Sequence, residues 1–172
     1  GESYALGSAV ISLSQASNVN VEIRDRAAPL LRQMADELGE SVYLTVPTRT
    51  HILYIYAIES SQRLEARSAI GEAAYYHSTS VGKAIMAHLP KEDAERIITE
   101  VGLPERTAGT ITDRKRLEAE LEEIRQRGFS TDHSENEQAT YCVGGPIFNA
   151  SRLVVASCSV SGNSPRIVNE EL

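Results

Sequence analysis

The residues best suited to chemistry fall in two stretches. In Tyr75-Tyr76-His77-Ser78-Thr79-Ser80-Val81-Gly82-Lys83-Ala84, hydroxyl residues run into the start of a helix, and Gly82 in its first turn would let an anion approach the free backbone N–H groups closely. A carboxylate suits that position. The same residues fit a plainer arrangement, in which Ser78 or Thr79 caps the helix and Gly82 serves packing. The second stretch is a pair of C-terminal strands in which Cys142, Gly144, Ser157, Ser159 and Ser161 alternate with apolar residues. Small hydroxyl and thiol groups beside glycines cannot fill a core, so they leave a concavity with hydrogen-bond donors, as a ligand pocket does. The alternative for a Ser-rich strand is an uncovered sheet facing water.

Other chemistries were weighed against this. Ser80-Val81-Gly82-Lys83 matches Ser-x-x-Lys, the spacing of serine acyl-transfer enzymes with a lysine base, but the partner signatures Ser-Asp-Asn and Lys-Thr-Gly are absent. A hydrolase built from Cys142, His77 and Asp132 has no spacing that brings the three together. His51, His77, His88 and His133 are scattered, without a paired ligand spacing. The reading is therefore of no enzyme, no catalytic residue, no metal and no cofactor. A net charge of −7 leaves no basic surface of the kind that phosphate backbones attract, which makes nucleic acid a poor direct partner of these residues. Two cysteines are too few for a disulfide scaffold and no long apolar run marks a membrane span, so the expected setting is a reducing cytoplasm.

The elements that must position these residues follow from periodicity. Val21, Ile23, Ala27, Leu30, Leu31, Met34 and Leu38 recur at helical spacing from Asn20, with Gly39 placed to close the helix. A weaker helix over 6–13 precedes it, joined by a polar bend. β-branched and aromatic residues then predict a hairpin, 41–46 with 51–58, and a third strand over 63–70 that stops at Gly71. Helices follow over 79–89, 91–101 and 112–127, the last capped by Thr112 and closed by Gly128. Strands over 129–132, 141–148 and 153–161 finish the chain.

The last two strands form a second hairpin whose register can be argued from pattern. A four-residue loop, 149–152, sets Phe148 against Leu153 and Cys142 against Ser159. Cys142, Gly144, Ser157, Ser159 and Ser161 then share one face, while Val143, Ile147, Val154, Ala156, Cys158 and Val160 form an apolar face suited to covering by helices. A three-residue loop would oppose Cys142 to Cys158 and mix polar with apolar on both faces.

An ordered set of segments carries a resemblance. These are Tyr4-Ala5-Leu6-Gly7, Pro29-Leu30-Leu31, His77 through Ala84, Leu117 through Gly128-Phe129-Ser130, Cys142-Val143-Gly144-Gly145-Pro146-Ile147, and Val154-Val155-Ala156 to Ser159-Val160-Ser161-Gly162. Together they resemble the effector domain of the IclR family of transcriptional regulators, over about residues 4–166. The resemblance implies an α/β (α+β) fold of GAF-like or profilin-like type, mainly an antiparallel curved sheet with helices packed on it. It implies a domain that binds a small organic acid effector, forms a homodimer or homotetramer, and meets operator DNA only through a winged helix-turn-helix domain outside these residues.

Residues 1–19 are then expected to be a linker helix segment after that module, and 20–172 the effector-binding domain, cut short at its C-terminus. The positions matching family carboxylate pockets are Ser80, Val81, Asp132, Cys142, Ser159 and Ser161, and the resemblance implies the Cys142 to Ser159 register as well. Tyr75, Tyr76, Met86 and Tyr141 are candidate pocket walls, with core packing the alternative for each. The sequence departs from the family pattern at Ala139, where a Gly commonly stands, at Tyr75-Tyr76, where Pro-Leu is usual, and in the 149–152 loop, which lacks the usual Gly.

Overall fold

The computed structural model describes residues 18–60 and 69–169. The predicted helix over 6–13 lies outside them, as does most of the expected linker segment. Helix α1 runs Asn18–Leu38, continues through Pro29, and is followed by Gly39 at φ +70°. After it come β1 (Ser41–Pro47), β2 (Ile52–Ile58), the short β3 (Ala73–Ala74), α2 (Ser80–Met86), α3 (Lys91–Val101), α4 (Arg114–Arg127), β4 (Ser130–His133), β5 (Tyr141–Phe148) and β6 (Val154–Gly162), with a final 3-10 turn over Pro165–Val168. The strands form one six-stranded sheet in the order β3-β2-β1-β6-β5-β4, and every pairing is antiparallel.

This curled antiparallel α+β sheet is the fold the resemblance implied. Its two faces are covered differently. Val42, Leu44, Val46 and Ala156 pack under Leu31 and Ala35 of α1, with Ile147, Cys158 and Val160 at the margin. The other face takes α2, behind which α3 and α4 build a second core from Met86, Ile97, Leu117, Leu121 and Ile124. The Ser-rich face is therefore not a solvated surface: Ser157, Ser159 and Ser161 are all buried.

Two expectations need correction, and a third falls mostly on residues that are not described. Of the third strand predicted over 63–70, residues 63–68 lie outside the described residues. Ile70 sits in an exposed turn before Gly71 at φ +87°, and the strand there is the two-residue β3 paired with Leu53 and Ile52. The cap of α4 is Asp113, whose carboxylate accepts the Arg116 N–H at 2.8 Å; Thr112 stands one residue too early to reach that donor.

The second hairpin is shifted by two residues, so Cys142 faces Ser161, not Ser159, and Ser159 faces Gly144. The loop holds five residues, 149–153, closed by the Asn149 N–H donating to Leu153 O, and a bulge follows at Val155, between the pairs Ile147–Ala156 and Phe148–Val154. Arg152 takes the left-handed conformation in this loop, at φ +62°. A two-residue slip preserves side-chain parity, so the polar face survives intact. Val154 is the exception, because the bulge turns it toward the core behind α2.

Candidate functional site

Gly144 and Ser130 decide how closely α2 approaches the sheet. A Cβ on Gly144 would lie 2.7 Å from the Ser80 carbonyl carbon, and the Ser130 hydroxyl donates to both Ser80 O (2.5 Å) and Gly144 O (3.1 Å). The N-terminus of α2 is thereby pinned onto β4 and β5. Thr79 is its N-cap: the Thr79 hydroxyl oxygen accepts the Gly82 N–H at 3.0 Å. Gly82 is a packing residue, since its Cβ would stand 2.5 Å from Tyr76 O.

A half-open cavity of about 500 Å³ lies between this helix start and the polar face of the sheet. Ser80, Val81, Asp132, Cys142, Ser159 and Ser161, separated by up to 81 positions in the chain, all line it. The Ser161 hydroxyl donates to Cys142 Sγ at 2.8 Å, as their direct cross-strand pairing permits. Cys158 lies on the other face, so the sheet separates the two thiols and no disulfide joins them.

Asp132 is the charged group most fully enclosed at the site, at 2% exposure. Its Oδ1 accepts the Glu135 N–H at 2.7 Å. Burial pushes the carboxyl up to about 7; the Glu135 charge adds to the rise, while the Glu135 N–H and the Lys83 ammonium oppose it. Glu135 in turn holds Lys83, whose Nζ donates to both carboxylate oxygens at 2.7 and 2.8 Å, with Glu120 at 3.6 Å. Lys83 is thus committed to a buried ion pair and offers Ser80 no free amine, which removes the basis of the Ser-x-x-Lys acyl-transfer reading. His77 is held by the Pro104 carbonyl at 3.0 Å from Nε2, and burial lowers its pKa. Among the described residues, no cluster of three His, Cys, Asp or Glu could hold a metal ion.

Of the four candidate walls, only Tyr75 lines the cavity. Tyr76 is buried in the core, with its hydroxyl donating to Thr48 O at 2.7 Å and its pKa pushed up to about 12 by burial. Met86 belongs to the same core. Tyr141 sits at odd parity to Cys142 on β5, which turns it to the opposite face. The walls not anticipated are Tyr43 and Tyr54 from the first hairpin, His51 beside it, and Arg106 and Asn136 from the loops around β4. One signal pointed to Tyr43: β1 alternates Ser41, Tyr43 and Thr45 with Val42, Leu44 and Val46.

Fold and cavity together define a class, an α+β domain whose curled sheet is sealed on one face by a long helix and encloses a polar small-molecule pocket on the other. A family model described as "Bacterial transcriptional regulator IclR C-terminal" matches residues 15–172, and the chain belongs to the IclR family. It is 30% identical over 169 residues to the HTH-type transcriptional regulator KipR of Bacillus subtilis, covering 98% of this chain and 68% of KipR. The crystal structure of the Thermotoga maritima IclR superposes with a TM-score of 0.83 at 35% identity, covering 92% of this chain and 65% of that one.

An IclR homolog from Microbacterium hydrocarbonoxydans, complexed with 4-hydroxybenzoate, shares the fold with a TM-score of 0.82 at 20% identity, covering 91% of this chain and 64% of that one. The chain spans about two thirds of the length of these relatives. It corresponds to the effector-binding domain of IclR-family regulators, and the curated relatives are named as transcriptional regulators rather than enzymes. No helix among the described residues is long and apolar enough to cross a membrane.

Proposed function

We propose that this domain binds a small organic acid in the cavity beneath α2 and, as part of a cytoplasmic regulator, passes its occupancy to a winged helix-turn-helix domain that reads operator DNA. The observation that carries the reading is the convergence of Ser80, Val81, Asp132, Cys142, Ser159 and Ser161 on one cavity. The acid's carboxylate would sit against the N–H groups of Ser80 and Val81. These two occupy the first turn of α2, where no intrahelical acceptor exists, and the Thr79 side chain takes Gly82 instead. Ser159 and Ser161 stand on the facing strand, two residues apart and on the same side, placed to donate alongside. Asp132 accepts from a hydroxyl or amine of the effector, and an analogue lacking that donor leaves a buried acceptor unpaired. Tyr43, Tyr54 and Tyr75 supply aromatic walls, and the fold neighbour from Microbacterium holds an aromatic hydroxy acid. The assembly in this reading is a homodimer or homotetramer.

A thermal-shift screen tests it, with short oxo-acids, hydroxy-acids, aromatic acids and their uncharged amides as ligands. Particular acids are expected to raise Tm, their amides to leave it unchanged, and Ser159→Ala with Ser161→Ala to abolish the rise. If no acid shifts Tm while the chain still associates, the domain is an assembly module with a vestigial pocket.

A further inference from the structure

We infer that a carboxylate entering this cavity brings a proton with it, which settles on Asp132, so that affinity for acids rises as pH falls. The inference rests on the acid-binding reading above and concerns how that same site is regulated. Asp132 and the proposed carboxylate contacts at Ser80, Val81, Ser159 and Ser161 line one half-enclosed space of about 500 Å³. Asp132 is 2% exposed, so water screens its charge poorly. Two negative charges at the separations such a cavity allows repel strongly enough to displace a titration by well over a pH unit.

The Lys83 ammonium offsets only part of that repulsion, because it is engaged elsewhere. On the loop after β4, Glu135 adds a carboxylate whose own countercharge is Lys83 of α2. Cys142 of β5 lies directly opposite Asp132 and is taken up with Ser161. His51, Arg106, Glu72 and Glu137 also line the cavity, one guanidinium against two further carboxylates. Even before a ligand arrives, burial holds the Asp132 carboxyl near neutrality, at about 7. Protonation is therefore the inexpensive response to a second anion.

The hydrogen bonds say where the proton goes. Oδ1 accepts the Glu135 N–H at 2.7 Å and the Asn136 N–H also bonds the carboxyl, so the proposal places the added proton on Oδ2, the oxygen not held by Glu135. The step joins one effector carboxylate, one Asp132 carboxylate and one proton from the buffer, and forms a single O–H bond at Oδ2 that donates to the effector. A protonated carboxyl still accepts at Oδ1, so recognition of an effector hydroxyl persists.

The test is isothermal calorimetry of the 172-residue chain with 4-hydroxybenzoate and with pyruvate, at about pH 6, 7 and 8, each in two buffers of different ionisation heat. Both carboxyl groups stay ionised across that range, so uptake reports the protein. The expected result is close to one proton taken up per acid bound at the highest pH, with Kd rising about tenfold per pH unit above about 7. Asp132→Asn should give a flat pH profile, while His51→Gln keeps the slope. Binding of either probe with the same Kd at all three pH values and no proton uptake overturns the inference, as does a slope that survives Asp132→Asn or vanishes with His51→Gln. If neither probe binds at any pH, the acid-binding reading fails, and this inference falls with it.

Discussion

Asp132 shapes stability as well as recognition. An unfolded aspartate titrates near 3.9, roughly, whereas the folded carboxyl titrates at about 7. Between those values the folded state binds more protons than the unfolded chain, so the contribution of this group is greatest at low pH. It declines as pH rises from about 4 to about 7 and is constant above. The expected outcome is that Asp132→Asn gains stability relative to the parent across that window, by roughly 1–4 kcal/mol in total. Urea unfolding of both proteins at about pH 5 and pH 8 checks it; a difference that does not change with pH would mean that Asp132 ionises freely in the folded chain. At this scale much of the site was legible. The six expected lining residues are small or charged groups that stand out against apolar alternation. Tyr54, His51 and Arg106 were not legible, because strand pairing and the packing of a loop bring them to the cavity and neither leaves a mark in neighbouring residues, while Tyr43 is marked only by the alternation of β1. Tyr76 and Met86 were proposed as walls because an aromatic or a thioether suits a pocket and a core equally well.

Elements bring the helix start and the polar strands into contact, and that contact depends on a missing side chain. Gly144 lets the Ser80 carbonyl of α2 rest on β5, where a methyl group would come within 2.7 Å of backbone. Backbone cannot swing aside as a flexible side chain can, so Gly144→Ala is expected to lift the start of α2 from the sheet and cost roughly 1–3 kcal/mol. Because the same displacement widens the gap between the Ser80 and Val81 N–H groups and Ser159, the acid-dependent rise in Tm should be lost even at temperatures where the variant is folded. A Gly144→Ala protein with parental stability and an undiminished acid response would separate α2 docking from binding. Helix boundaries were well marked in the sequence: α3 begins at Lys91 directly after Pro90, and α4 ends at Gly128 with φ +84°. The hairpin register was not. Its faces follow from a period of two, which a two-residue slip leaves unchanged. The pairing itself depends on Arg152 adopting φ +62° and on a bulge at Val155, and neither residue type advertises that conformation.

At the scale of the whole molecule, the sheet stands between the pocket and α1. Its central strands β1 and β6 present Tyr43, Ser159 and Ser161 to the cavity and, on the reverse side, Val42, Leu44, Cys158 and Val160 to the core under α1. An effector that flattens or tightens this part of the sheet alters the seat of α1, the helix nearest the N-terminal side of the chain. Ligands act on such an equilibrium only through different affinities for its states, so in the proposed regulator effector binding and DNA binding would influence each other equally. With a net charge of −7, the chain repels the phosphate backbone on average instead of exchanging its counterions. Among the described residues several arginines are also occupied, Arg49 by Glu100, Arg96 by Asp93, Arg114 by Glu118 and Arg125 by Glu122. Gel-shift or anisotropy measurements at moderate salt are therefore expected to show no sequence-dependent binding of duplex DNA by this chain, with or without an acid that raises its Tm. A sequence-dependent shift by the purified chain would place DNA reading within the domain itself and overturn the division of labour between sensing and reading.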